Sequence, residues 1–156
     1  MAKEPKKKYM IAINDSPVSK LALEMGVRLA KLDRAKLYLV YVFEVPRALP
    51  LDAEIPEEIE KGDEILAEGM VMADETGVEA ETNFVQARHA GAGLIDEARD
   101  LDIDMLIIGM STRHRFGELF FGPTVTYILK EAHCQVLVIR DCKTCKPATV
   151  HSDTEI

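Results

Sequence analysis

"YMIAINDSPVSKLALEMGVRLAK", Tyr9 to Lys31, decides the fold. Tyr9–Ile13 is a short apolar run of strand length. "NDSP" then turns the chain. Ser16 can cap a helix, and Pro17 suits its first position, where the missing N–H costs nothing. Val18, Leu21, Ala22, Met25, Leu29 and Leu32 recur at helical spacing. Asp33 and Arg34 end the run. A strand leading through a tight turn into an amphipathic helix is the first half of a βαβ unit.

The same alternation continues. "AKLYLVYVFEV" (Ala35–Val45) is almost entirely apolar, as a strand covered on both faces must be. Pro46 to Pro56 holds three prolines and reads as a loop. From Glu57 to Glu75 the spacing is helical, with Ile59, Leu66, Met70 and Ala73 on one face, and Gly77 closes it. "VEAETNFVQA" alternates Val78, Ala80, Thr82 and Phe84 on one side, a half-buried strand. "RHAGAG" turns the chain. Leu94, Ile95, Ala98 and Leu101 mark a third helix, and "MLIIG" a fourth strand. After a basic loop, Val125, Ile128, Leu129 and Ala132 mark a fourth helix, and "QVLVI" is the fifth strand.

This order predicts an α/β domain: a five-stranded parallel sheet with right-handed crossovers and helices on both faces. Residues 1–8 read as a polar arm, 9–140 as the domain and 141–156 as a polar tail. Ligands on such sheets sit at the carboxyl ends of the strands. The candidate rim is Asn14–Ser16, Val42–Glu44, Ala87–Ala90 and Gly109–Thr112.

Composition narrows the function. At 156 residues, with 47% hydrophobic and 29% charged residues, one soluble domain is expected. The net charge of −8, from 27 acidic and 19 basic residues, argues against nucleic acid as a partner. No apolar run is long enough to span a membrane, and the basic start reads as no secretory signal. Three cysteines without a pairing scheme suit a reducing compartment. Seven acids between Asp52 and Glu64 read as a solvated face, with a docking surface as the sharper alternative.

One junction carries chemistry. In "IIGMSTRHRFGELFFGPT" (Ile107–Thr124) a strand leads through Gly109 and the basic Arg113, His114 and Arg115 to Gly122 and a helix. Free N–H groups and the dipole at a helix start attract anions. Gly109 and Gly122 can supply unusual dihedrals, and Thr124 and Thr126 supply hydroxyls. By spacing alone, a chain-geometry role for these glycines stands beside a phosphate role.

At this point the chain resembles the universal stress protein family, over about residues 8–140. Gly109, Thr112 and Gly122 follow that family's ATP-binding pattern: Gly, two residues, Gly, nine residues, Gly, then Ser or Thr. Tyr9–Lys31 looks like its first strand and helix, "VLVIR" like its last strand, and "AHCQ" like the stretch before it. The resemblance implies a flavodoxin-like or Rossmann-like fold of the adenine nucleotide alpha hydrolase-like type. It implies a cytoplasmic regulatory protein, a homodimer through the last strand, and ATP or AMP as ligand, with Mg²⁺ only if ATP is bound. Carried over, Ala12, Asn14 and Val42 line the adenosine side. Ile108, Gly109, Thr112, Gly122, Thr124 and Val125 lie along ribose and phosphates, with Arg113 beside them.

Three departures alter the phosphate cradle. The family's Asp at the end of strand one is Asn14, which keeps an acceptor oxygen but not the charge. Its second Gly is Thr112, whose branched Cβ resists positive φ. Its Ser or Thr after the third Gly is Pro123, with neither an N–H nor a hydroxyl. A member whose pocket takes no nucleotide, acting by protein contacts, is the alternative; slow ATP hydrolysis, with His89 or Asp15 orienting water, is another.

Other signals are weaker. Cys142 and Cys145 have redox or metal spacing but lie in the tail, where idle thiols are the simpler reading. His89 reads as a solvated loop residue on the ligand rim. His133 and Cys134 read as packing and helix-end residues, and Met70, Met72 and Met105 as core fillers. A phospho-receiver needs an acidic pair after strand one and a Lys after strand five; "ND" and Arg140 do not provide them.

Overall fold

The structure, a computed structural model, describes residues 6–111, 113–115 and 118–141, the short segments 113–115 and 118–120 by their backbone alone. Strands β1 (Lys8–Ala12), β2 (Lys36–Glu44), β3 (Ala80–Ala87), β4 (Met105–Met110) and β7 (Gln135–Arg140) form one parallel sheet in the order β3-β2-β1-β4-β7. Helices α1 (Pro17–Asp33), α2 (Pro56–Thr76), α3 (Ala90–Asp100) and α4 (Pro123–Glu131) connect them. The α/β sandwich expected from the alternation is therefore present. The basic loop holds one addition: β5 (Arg113–Arg115) pairs antiparallel with β6 (Glu118–Phe120).

The period of two sorts each central strand onto two cores. Tyr9, Ile11 and Ile13 face one way with Leu37, Leu39, Tyr41 and Ile107, against Leu23 and Val27 of α1 and Leu66 of α2. Met10, Tyr38, Val40, Leu106 and Ile108 face the other way, against Leu94 and Ile95 of α3 and Val125 and Ile128 of α4. Covered on both faces, β1, β2 and β4 have to read as unbroken apolar runs. Edge strand β3 does not: Thr82, expected on its inner side, is exposed.

Helix ends follow local chemistry. The Ser16 hydroxyl accepts the Ser19 N–H at 3.3 Å, and Pro17 opens α1. Arg34 (φ 54°) and Gly77 (φ 77°) close α1 and α2 in the left-handed region. Ser16→Ala is expected to cost ~1 kcal/mol, read as a fall of about 3 °C in Tm. Three apolar positions depart from the periodic reading, among them Met25, 41% exposed on α1. Leu32 is 79% exposed at the end of α1, and Leu129 is 52% exposed on α4. Leu32 lies in the last turn, and Leu129 follows the buried Ile128 by about 100° around the axis.

Candidate functional site

Strand order reverses between β1 and β4: one crossover from β1 leads to β2 on one side, while β4 lies on the other. At the carboxyl ends of such a pair the following loops diverge and leave a crevice. Here the crevice encloses about 160 Å³. Seven of the ten residues nominated from sequence line it: Ala12, Asn14, Val42, Ile108, Gly109, Thr124 and Val125. Gly122 stands next to it as the residue before α4. Thr112 lies outside the described residues, as does the side chain of Arg113. Cys142 and Cys145 lie outside them as well.

Of the other lining residues, Ser16 and Ala90 lie on the rim expected from the sequence, while Ile13, Ser19, Val40 and Leu94 were missed. Ile13 stands between the nominated Ala12 and Asn14, and Ser19 lies in the first turn of α1. Leu94 lies one turn further along α3 than Ala90, and no local signal singles it out for this crevice.

The loop after β1 is held by its own side chains. Asn14 Oδ1 accepts the Ser16 N–H at 2.8 Å, and the buried Ser19 Oγ accepts the Asn14 N–H at 2.8 Å. The acceptor that Asn14 keeps is thus already engaged, with one lone pair left. Asp15 points to the other side, where its carboxylate meets Lys61 of α2 at 3.1 Å and raises that amine above its ordinary pKa.

The two glycines work differently from the reading of them as backbone hinges. Gly109 has no left-handed dihedral. A Cβ there would stand 2.7 Å from Val18 O and 3.0 Å from Val18 C, so it is glycine because α1 starts hard against β4. Gly122 is extended, with φ −65° and ψ 162°, a conformation open to any residue. A Cβ at Gly122 would meet nothing within 4 Å among the described residues, so its missing side chain leaves the start of α4 open.

The helix starts around the crevice are filled unequally. Glu44 Oε1, at the end of β2, accepts the Ala90 N–H at 2.8 Å and so caps α3. His89 precedes α3 as an exposed residue whose ring caps nothing. Among the described residues no side chain caps α4. Its first-turn amides at Thr124 and Val125 precede any intrahelical acceptor, and Pro123 contributes no N–H. Thr126 is not a free donor as its hydroxyl had suggested, because it donates back to Gly122 O at 3.0 Å. The crevice therefore has apolar walls (Val40, Val42, Leu94, Ile108), one polar loop and one open helix start.

Comparison with known proteins bears on that geometry. The model of the universal stress protein family matches residues 6–140. A universal stress protein of Methanocaldococcus jannaschii is 29% identical over 143 residues, covering 88% of this chain and 84% of its own. A universal stress protein structure from Archaeoglobus fulgidus superposes with a TM-score of 0.73 at 20% identity, covering 86% of this chain and 99% of that one. Another, from the same organism in complex with dAMP, gives 0.68 at 18% identity over 85% and 97%. At these identities the solved structures establish the shared fold.

Proposed function

This chain belongs to the universal stress protein family, and on that premise we propose that it binds an adenine nucleotide, ATP or AMP, in the crevice between β1 and β4. The observation that carries the reading is convergence: residues nominated from three separate strands and from α4 line one crevice beside an uncapped helix start. The dAMP held by the Archaeoglobus relative supports the same class of ligand. The base would lie against Val40, Val42, Leu94 and Ile108, and the phosphate over Gly122, Thr124 and Val125. The enclosed volume is below the roughly 300 Å³ where pockets for drug-sized ligands begin, so part of the nucleotide would stay at the surface.

The reading includes a regulatory role, a cytoplasmic setting and a homodimer through β7. The dimer is supported by β7 being an edge strand, half-exposed from Val136 to Ile139. Such an edge seeks a partner. No helix among the described residues is long and apolar enough to cross a membrane. A second reading, a protein-interaction module with no nucleotide, is favoured by one observation: Pro123 stands where the phosphate would want a donor.

Isothermal titration with AMP, ADP and ATP separates the two. Saturable binding of at least one supports the first reading. Silence toward all three at millimolar concentration rejects it. A sharper control is Gly122→Ala. Replacing glycine by alanine before a helix costs roughly 0.5–1 kcal/mol, and gaining a Cβ at an ordinary φ restores about as much through the unfolded chain. Stability should therefore hold, while the new methyl at the phosphate's approach weakens nucleotide binding about fivefold, ~1 kcal/mol. A variant that binds as well as wild type removes the phosphate from this position.

A further inference from the structure

Resting on the adenine-nucleotide reading above, we propose that the crevice is built for one phosphate rather than three, and that Glu44 is the residue that sets this limit.

Two helices begin at the crevice. Ala90, the first residue of α3, and Thr124, the second of α4, both line it. The two helices pack closely there, since a Cβ at Gly91 would stand 3.0 Å from Tyr127 Cβ. Each start is a place where negative charge is favoured. At α3 that place is taken, because the Glu44 carboxylate sits on the Ala90 N–H. The neighbouring cation does not neutralise it. Arg88 Nη1 instead donates to Pro46 O at 2.7 Å and Val45 O at 3.3 Å. Among the described residues Glu44 forms no ion pair. The protein thus holds a fixed negative charge on one rim of the crevice.

The other rim has few donors among the described residues. α4 opens on Pro123, so its first position brings no N–H, and Thr126 has turned its hydroxyl inward. Among the described residues, what remains is the pair of amides at Thr124 and Val125 and the Thr124 hydroxyl. That set suits one phosphate group. Each further phosphate adds charge beside Glu44, and the described residues offer it no further donor. A monophosphate avoids that repulsion; a linear triphosphate does not. Glu44 need not touch the ligand. It acts through its charge, held in place by the Ala90 N–H.

The test is titration of the full chain with AMP, ADP and ATP at low ionic strength without divalent metal, for wild type and Glu44→Gln. Low salt matters because Glu44 is exposed and its field is screened. Gln retains an oxygen for the Ala90 N–H and loses only the charge. Wild type is expected to bind AMP at least as tightly as ADP, and ADP at least as tightly as ATP, a series that needs no variant. Glu44→Gln is expected to move the AMP-to-ATP affinity ratio toward ATP by about threefold or more. ATP tighter than AMP in wild type, or a ratio that Glu44→Gln moves by less than this, overturns the inference while nucleotide binding stands. No binding of any of the three overturns the reading beneath it, and the inference with it.

Discussion

Gly109→Ala is expected to lower stability by about 3 kcal/mol, a fall of roughly 10 °C in Tm, and to abolish nucleotide binding. The new Cβ would lie 2.7 Å from Val18 O and 3.1 Å from Val18 Cγ2. The first of these is backbone, so no side chain can rotate to make room. β4 cannot retreat, because it is bonded to β1 on one side and to β7 on the other, where Gly109 pairs with Ile139. The start of α1 must therefore move. It carries Ser19, whose Oγ holds the Asn14 N–H, and Ser16, whose N–H is held by Asn14 Oδ1. One methyl group thus displaces a whole wall of the crevice. The cost belongs at the upper end of the range for overpacked cores, where about 1–3 kcal/mol is usual. Urea denaturation and titration with AMP check both halves. A variant within ~0.5 kcal/mol of wild type would show that α1 yields without strain, and that Gly109 is not fixed by packing.

The contrast between Gly109 and Gly122 shows what a sequence can carry. Both stand at a strand–helix junction, and both read as backbone hinges. A glycine announces that a side chain is absent, but not whether dihedral, neighbour or ligand is the reason. Only the position of Val18, ninety residues away in the chain, separates them. The sheet itself was legible, because strands covered on both faces leave uninterrupted apolar runs such as Leu37–Phe43. Met25, Leu32 and Leu129 misled because periodicity identifies a face without saying how wide its buried stripe is or how far along the helix it is covered. The short hairpin of β5 and β6 was hidden in a charged stretch of three-residue strands, too brief for any alternation to register. Of the site, the positions on β1, β2, β4 and α4 were found by motif spacing and resemblance. The cap that Glu44 places on α3 was not, since that bond joins residues 46 apart and neither end has a local signature.

Pro123→Ser is expected to raise affinity for ATP by between about tenfold and about a hundredfold. Pro123 occupies the first position of α4, where its ring fixes a helical φ and its nitrogen has no hydrogen. Serine restores two donors, the amide and the hydroxyl, at a helix start that no side chain caps among the described residues. A hydrogen bond to a charged group contributes roughly 1.5–3 kcal/mol, and two of them set the ceiling at about 3 kcal/mol once the ordering of the phosphate is subtracted. That converts to about a hundredfold in Kd. The gain should be greater for ATP than for AMP, because in the proposed pose Thr124 and Val125 would already serve the one phosphate of AMP. Stability should fall by only ~0.5–1 kcal/mol, the loss of proline's restraint on the unfolded chain. Unchanged ATP affinity in a folded Pro123→Ser variant would mean that phosphate does not reach the start of α4. The crevice would then have to hold a nucleotide, if any, by its base and ribose alone.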